Sequence, residues 1–255
     1  MKVLITAGGT TEKIDNVRNI ANISTGKLGS LIATAFSGLP NVDEIYYLCS
    51  KTAILPQSEK ATIRYVDSVA SLENTVNETL ILTDIDIIIH SMAVSDYRVK
   101  SVTSTSKLAN AIISQRDELK NIDTQSAEKI VTELLKTSES IIGSNGKISS
   151  DIDNMLLLME RTPKIISSFQ VLAPNATLVG FKLLDSVSQE MLIDTACRLL
   201  QDNKCTLVLA NDLSEINENG HVGYLVDKDK NYKRFTTKEE IAEAIVAATT
   251  EIRSM

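Results

Sequence analysis

The sequence predicts an α/β fold in which a mostly parallel sheet lies between helices, with a small β-meander near the C-terminus. Three observations predict it. Short β-branched apolar runs alternate with longer stretches of helical period, the pattern of successive βαβ units. The first run, KVLITA at 2–7, stops abruptly at Gly8-Gly9-Thr10-Thr11. Several apolar runs are followed directly by small, polar or ionisable residues: Gly8-Gly9-Thr10, Ser91 to Asp96, Phe181-Lys182 and Asn211-Asp212. Ligands of open α/β sheets bind outside the carboxyl ends of the strands, so these residues mark one edge as the functional one. The architecture expected is Rossmann-like, a three-layer αβα stack.

Taken in order, strands are expected at 2–7, 44–49, 62–66, 85–90, 177–182 and 206–210, and helices at 28–37, 68–80, 123–138, 163–172, 186–202 and 238–250. The first strand is rich in β-branched residues and reads as buried. It feeds a loop carrying Arg18, Asn22, Ser24, Thr25, Gly26, Lys27 and Gly29, which leads into the apolar stretch from Leu28 to Phe36. A strand, a glycine- and hydroxyl-rich loop and then a helix is how such folds cradle phosphate: backbone N–H groups point at the anion and the helix dipole favours it. The alternative for the loop is a tight turn that serves packing only. The second strand ends in Cys49-Ser50-Lys51. It lacks the acidic residue that would hold ribose hydroxyls in a dinucleotide site. The fourth strand ends at His90, near the ligand edge, where a packing or hydrogen-bonding role is expected. In the helix at 186–202, Leu192, Ile193, Ala196, Leu199 and Leu200 form a helix-spaced stripe that belongs to the core.

Two stretches break the alternation. Residues 100–150 contain Ser101 to Lys107 and Ser144-Asn145-Gly146-Lys147, and read as a mobile flap over a nucleotide, with helical parts. Residues 213–235 read as strands around turns, a β-meander attached to the sheet. With no repeat and no Pro/Gly linker, one domain over 1–255 is expected.

Composition narrows the function classes. A net charge of −7 argues against a nucleic-acid binder that works by bulk electrostatics. No apolar run approaches the ~18 residues of a membrane span, and no leader is expected ahead of the first strand. Cys49, Cys197 and Cys205 lack CxxC spacing and read as reduced thiols of a cytoplasmic protein. With only His90 and His221, a histidine-based metal site is not expected. Gly8 to Lys13 does not give GxGxxG, and Gly26-Lys27-Leu28-Gly29 is not a Walker A loop.

The opening, ITAGGTTEKIDNVRNIANISTGKLG, resembles the start of the phosphopantothenate–cysteine ligases, whose pattern is ITAGxT, then DxVRxIxN, then SxGxxG. Ala93-Val94-Ser95-Asp96-Tyr97, Gly146-Lys147-Ile148, Val179-Gly180-Phe181 and Ala210-Asn211-Asp212 follow in that family's order, so the resemblance runs from Met1 to about Asp212 and beyond. It implies a ligase that joins 4′-phosphopantothenate to L-cysteine through an acyl-nucleotide, with release of pyrophosphate. It implies CTP as the nucleotide, with ATP the alternative, Mg²⁺ carried by phosphates and water, and a homodimer. Residue by residue, it implies catalytic roles for Asn22 and Lys147. It implies nucleotide contacts from Gly8, Gly9, Thr10, Ser24, Gly26, Lys27, Ala93, Asp96 and Phe181, and substrate contacts from Arg18, Asn211 and Asp212. Without the resemblance, Asn22, Asp96 and Asp212 read equally as caps and Lys147 as a solvated loop lysine. Gly180 to Asp185, GFKLLD, departs from the GFAAET of the commoner bacterial form and is closer to stand-alone and eukaryotic-like members.

Two rivals remain at this level. A short-chain NAD(P) reductase would want Tyr-x-x-x-Lys, but Tyr97 is followed at the fourth position by Ser101. A noncatalytic nucleotide-binding module would bind nucleotide and release no pyrophosphate.

Overall fold

The computed structural model describes residues 1–120, 122–137, 146–217 and 220–254. Along the chain run β1 (Lys2–Ala7), β2 (Thr11–Lys13), β3 (Asn19–Ala21), α1 (Lys27–Ser37), β4 (Glu44–Cys49), β5 (Ala61–Tyr65) and α2 (Val69–Leu82). Then come β6 (Ile87–His90), β7 (Tyr97–Ser104), α3 (Thr105–Ser114), α4 (Thr124–Thr137), β8 (Met155–Arg161), α5 (Ile165–Leu172) and β9 (Thr177–Leu184). The chain ends with α6 (Gln189–Asn203), β10 (Leu207–Asp212), β11 (Ile216–Asn217), β12 (Gly220–His221), β13 (Gly223–Asp227), β14 (Tyr232–Phe235) and α7 (Lys238–Ser254). These elements pack as two compact units. The first is Met1–Thr10, Asn22–Val94 and Lys164–Met255; the second is Thr11–Ala21 and Ser95–Pro163.

The first unit holds an eight-stranded sheet in the order β14-β13-β10-β9-β6-β1-β4-β5. Every pair from β10 to β5 is parallel; β13 adds antiparallel to β10, and β14 antiparallel to β13. The order of the parallel strands reverses between β1 and β6, the switch point where α/β sheets open a ligand crevice.

Alternation along the strands builds two cores. Leu4, Leu48, Ile88, Leu178 and Val208 face α2, α5 and α6, against Leu72, Val76, Phe169, Leu192, Ala196 and Leu200. Val3, Ile5, Ile45, Tyr47, Ile87, Ile89, Val179 and Leu209 face α1 and α7, against Ile32, Phe36, Ile241 and Ile245. Period-two alternation sends neighbouring residues to opposite faces, so strands buried on both sides read as continuous apolar runs. Each such side chain contributes ~1.5–3 kcal/mol on burial. Serine caps start two helices of the first unit: Ser68 accepts from the Ser71 amide and Ser188 from the Met191 amide. At the opposite edge, the Arg253 guanidinium binds Asp86 and the Asn175 carbonyl, tying α7 to the entry of β6 and β9.

The expected αβα stack with a mostly parallel sheet is what forms, and the six expected strands are β1, β4, β5, β6, β9 and β10 with ends moved by one or two residues. The helix expected at 123–138 is α4, capped by the Asp123 carboxylate on the Ser126 amide; residue 138 lies outside the described residues, as do Ser144 and Asn145. The meander stretch forms β11 to β14, with 218–219 outside the described residues.

The second unit differs from expectation. β7 and β8 pair antiparallel as a long ribbon with an irregularity between Val99 and Ser101, and β2 and β3 form a short hairpin. The hydroxyl-rich stretch from Ser101 is therefore strand and then helix. Ser104 caps α3 by accepting from the Lys107 amide. Thr and Val suit a pleated strand. The partner strand arrives some fifty residues later, however, so no turn signals the pairing locally.

Phe36 is fully buried between α1 and the sheet. Phe36→Ala is expected to cost ~3–5 kcal/mol, whereas Val171→Ala, on a side chain 79% exposed, should stay within ~0.5 kcal/mol. Denaturant unfolding of both variants checks this.

Candidate functional site

At the switch point, backbones approach more closely than side chains would allow. Gly9 bridges Ala93 in parallel; the Thr10 amide donates to the Ala93 carbonyl at 3.0 Å, and the Ala93 amide to the Gly8 carbonyl at 2.9 Å. Asn22 closes over this junction: its amide donates to the Thr10 carbonyl at 3.1 Å and its Nδ2 to the Val94 carbonyl at 3.3 Å. A Cβ on Gly9 would sit 1.9 Å from the Asn22 carbonyl oxygen.

Gly8 and Gly26 both take the left-handed conformation, at φ 84° and 68°, where a Cβ is strained. A Cβ on Gly26 would lie 3.0 Å from the Gly8 nitrogen, and one on Gly29 2.8 Å from Ala7 Cβ. Gly26 is the cap of α1 and offers the first-turn amides no side-chain acceptor. The hydroxyls of Ser24 and Thr25 accept from the Gly26 and Lys27 amides only at the long distance of 3.4 Å. The start of α1 therefore presents donors and positive dipole to an incoming anion. Tyr47 Oη fixes the loop from below by donating to the Ile54 carbonyl at 3.0 Å, and the Ile54 amide donates to Thr25.

The first unit thus brings Gly8, Gly9, Thr10, Asn22, Ser24, Gly26, Lys27 and Ala93 to one sheet edge. Phe181, Asn211 and Asp212 lie in β9 and β10, whose carboxyl ends share that edge. Phe181 packs half-buried on the α1–α7 core. Asn211 spends its Nδ2 on the Val222 carbonyl at 2.7 Å and on His221 Nε2 at 3.2 Å. Asp212 collects the amides of Ser186, Val187 and Ser214 and the Ser214 hydroxyl. The Ser214 hydroxyl foremost, then the Val187 amide, holds its carboxyl well below the usual range.

Arg18, Asp96 and Lys147 belong to the second unit. Asp96 is exposed at the entry to β7, its carbonyl accepting from the Thr162 amide. Arg18 Nη1 binds the Asp15 carboxylate at 2.7 Å and the Ile148 carbonyl at 3.3 Å. Lys147 is exposed between two anchored neighbours: the Gly146 carbonyl accepts from the Asn16 amide at 2.9 Å, and the Ile148 amide donates to Asp15 at 3.0 Å.

His90, buried, shares a 2.9 Å hydrogen bond between Nδ1 and Thr6 Oγ1 and stands edge-on to Phe169. Burial lowers its pKa to about 4. Burial lowers His221 to about 4 as well, assisted by Lys238. The three cysteines are buried thiols, with Cys49 pushed up to about 11 and Cys205 to about 12 by burial. Among the described residues, no group of three or more His, Cys, Asp or Glu is set to hold a metal ion, and no helix is long and apolar enough to cross a membrane.

A model of the DNA/pantothenate metabolism flavoprotein C-terminal domain matches residues 1–143 and 140–252. The chain belongs to this family. Among solved structures, the DNA/pantothenate metabolism flavoprotein from Streptococcus pneumoniae is similar at TM-score 0.79 and 32% identity, covering 99% of both chains. The coenzyme A biosynthesis bifunctional proteins CoaBC of Methanocaldococcus jannaschii and Thermococcus kodakarensis are 27% and 29% identical over 96% of this chain. The chain spans about half the length of these curated relatives, 49% of each. A structure of the C-terminal domain of CoaBC shares the fold at TM-score 0.66 and 22% identity over 99% of this chain and 97% of that one. These likenesses do not favour the reductase.

Membership of the DNA/pantothenate metabolism flavoprotein family leaves some positions that motif reading passed over. Asp15, inside the DxVRxIxN pattern, has no role assigned from sequence; its carboxylate takes the nearby Val17 and Arg18 amides and Arg18 Nη1, and also the Ile148 amide, 133 positions along the chain. Ser50, just past β4, is buried with no partner for its hydroxyl among the described residues, and a Cβ added at Gly8 would lie 2.3 Å from that hydroxyl. Nothing in the sequence signals that proximity.

Gly9→Ala is expected to cost ~1–3 kcal/mol because a carbonyl must move to admit the methyl group. Gly38→Ala, at ordinary helical φ with its nearest neighbour at 3.4 Å, should be neutral or stabilising. Urea unfolding of the pair checks this. The histidines set a pH dependence. Their folded values, about 4, lie below the 6.5 of the free side chain, so between those values the unfolded chain binds protons that the folded chain does not. Unfolding free energy should therefore fall as pH drops from 6.5 to 4. His90→Gln should reduce that slope in a pH series of unfolding curves.

Proposed function

We propose that this chain is a phosphopantothenate–cysteine ligase of coenzyme A biosynthesis. The observation that carries the reading is the switch-point junction. There a β-strand ends in two glycines against a helix N-terminus without a side-chain cap, and Asn22 is fixed across the junction by the Val94 carbonyl. Such an edge receives phosphate and orients a neighbouring amide side chain. The CoaBC names of the relatives and the 4′-phosphopantothenate chemistry of the resembled family supply the substrates. A Cab2 mutant of the same fold, at TM-score 0.68 and 17% identity over 99% of this chain and 86% of that one, was solved with phosphopantothenate-cysteine.

A carboxylate does not acylate an amine unless it is activated. In the proposed reaction, a carboxylate oxygen of 4′-phosphopantothenate attacks the α-phosphorus of CTP, or of ATP as the alternative, and the bond to pyrophosphate breaks. The amine of L-cysteine then attacks the acyl carbon, loses a proton and expels the nucleoside monophosphate. Negative charge develops on phosphoryl oxygens in the first step and on the acyl oxygen in the second. Fixed donors and cations are needed rather than a covalent nucleophile.

In this reading, the amides of Gly9 and the start of α1, with the Thr10 hydroxyl, Ser24 and Lys27, hold the nucleotide phosphates, and Ala93, Asp96 and Phe181 hold ribose and base. Asn22 donates to the acyl and phosphoryl oxygens. Lys147 neutralises the charge that appears as pyrophosphate leaves. Arg18 grips the substrate phosphate with its remaining N–H groups, since a planar fork suits phosphate oxygens. Asn211 and Asp212 shape the substrate edge through the loops that they hold. Mg²⁺, carried by the triphosphate and water, supplies charge neutralisation. The proposed setting is a cytoplasmic homodimer.

Pyrophosphate release by purified protein with Mg²⁺, CTP or ATP, 4′-phosphopantothenate and L-cysteine tests the reading. Release that depends on phosphopantothenate supports it, and absence of release by folded protein removes it. Lys147→Gln should slow release by ~10²-fold with unchanged unfolding.

A further inference from the structure

Asp15 is a buried carboxylate with every acceptor position engaged. Its Oδ1 takes the amides of Val17 and Arg18 at 2.8 and 2.7 Å, and its Oδ2 takes Arg18 Nη1 at 2.7 Å and the Ile148 amide at 3.0 Å. The Asp15 side chain is fully buried. The Ile148 amide, more than any other donor, holds its carboxyl down at about 2, so it stays charged at any working pH. One oxygen shapes the turn that carries Arg18. The other joins that turn to the segment that carries Lys147. A second link runs in parallel, from the Asn16 amide to the Gly146 carbonyl. It depends on Gly146 at φ 71°, where a Cβ would lie 2.0 Å from Asn16 Nδ2.

We infer that Asp15 is a positioning residue that sets Arg18 and Lys147 at a fixed separation, so that the group gripping the substrate phosphate and the group meeting the departing pyrophosphate are held by one carboxylate. This rests on the ligase reading. Neither residue could otherwise keep its place cheaply: a lysine and an arginine on separate loops lose much side-chain and backbone freedom when ordered, and their like charges repel. A charged acceptor between the loops removes both obstacles, and hydrogen bonds to a charged group are the stronger kind.

The test is Asp15→Asn. The amide oxygen can still accept from Val17 and Arg18, but the NH₂ group faces two donors, so the substitution severs the link to Ile148 and Arg18 Nη1 selectively. Hydrogen exchange of the Lys147 and Ile148 amides should quicken by ~10-fold or more, with exchange in β1 and β4 unchanged. Under the ligase assay, the single-turnover rate of pyrophosphate release should fall ~10–100-fold, and KM for phosphopantothenate should rise. Gly146→Ala attacks the same tether from the other side and should give the same split, covering the case in which Asp15→Asn does not fold. Asn16→Ala keeps both links and should behave as wild type. A purely structural carboxylate would lower the unfolding midpoint yet leave kcat and KM per folded molecule unchanged, which overturns the inference, as does unchanged exchange at 147 and 148. If wild-type protein itself releases no pyrophosphate, the ligase reading fails and the positioning role falls with it, whereas normal wild-type turnover with a wild-type Asp15→Asn overturns the positioning role alone.

Discussion

The approach of bare backbone to bare backbone at the end of β1 is the constraint on which the rest of the first unit depends. Gly8, Gly9 and Gly26 meet Asn22, Ala53 and one another at distances that leave no space for a side chain. The bridge from Gly9 to Ala93 then continues the parallel pairing of β1 and β6 past the last strand residue. Because the sheet is tight there, the amides at the start of α1 come to the strand edge, where the hydroxyls of Ser24 and Thr25 meet them only at the long distance of 3.4 Å. A methyl group at this point would disturb the packing and the bridge together, since the same atoms define both.

Two carboxylates organise the surroundings in the same way at different places. Asp212 gathers loop amides beyond β9 and β10, and Asp15 gathers them between the β2–β3 hairpin and the segment before β8. In each case several N–H groups converge on one buried anion, an arrangement in which charge compensates for desolvation. Lost secondary-structure hydrogen bonds in irregular loops are thereby replaced by side-chain acceptors.

The sheet was legible because its signals are local. KVLITA and EIYYLC carry the β-branched and aromatic runs of doubly buried strands, and the helices between them carry a stripe of period 3.6. The glycines of the site were legible for a similar reason: a turn demanding left-handed backbone leaves Gly8 and Gly26 in the sequence. The second unit was not legible as strands, because β8 follows β7 only after some fifty residues, with α3 and α4 among the described residues between them. β2 and β3 are three residues each, too short for any period to register. Asp15 stood in a motif whose pattern was visible, but its partner Ile148 is supplied by tertiary structure alone. Ser50 and the engagement of Asn211 with His221 escaped for the same reason.

The order of strands in the first unit has a consequence for how the protein is made. β6 offers Ile87, Ile88 and Ile89 to β1 on one side and to β9 on the other, yet β9 leaves the ribosome only after the whole of the second unit has been synthesised. During that interval the nascent half-sheet carries an unpaired edge of three consecutive isoleucines, a template for pairing with another chain. Synthesis of the intervening residues at ~5–20 residues per second holds that edge open for seconds. Crowded expression of this protein should therefore meet its main hazard before the chain is finished, and cover from a chaperone would be needed at that stage rather than after release.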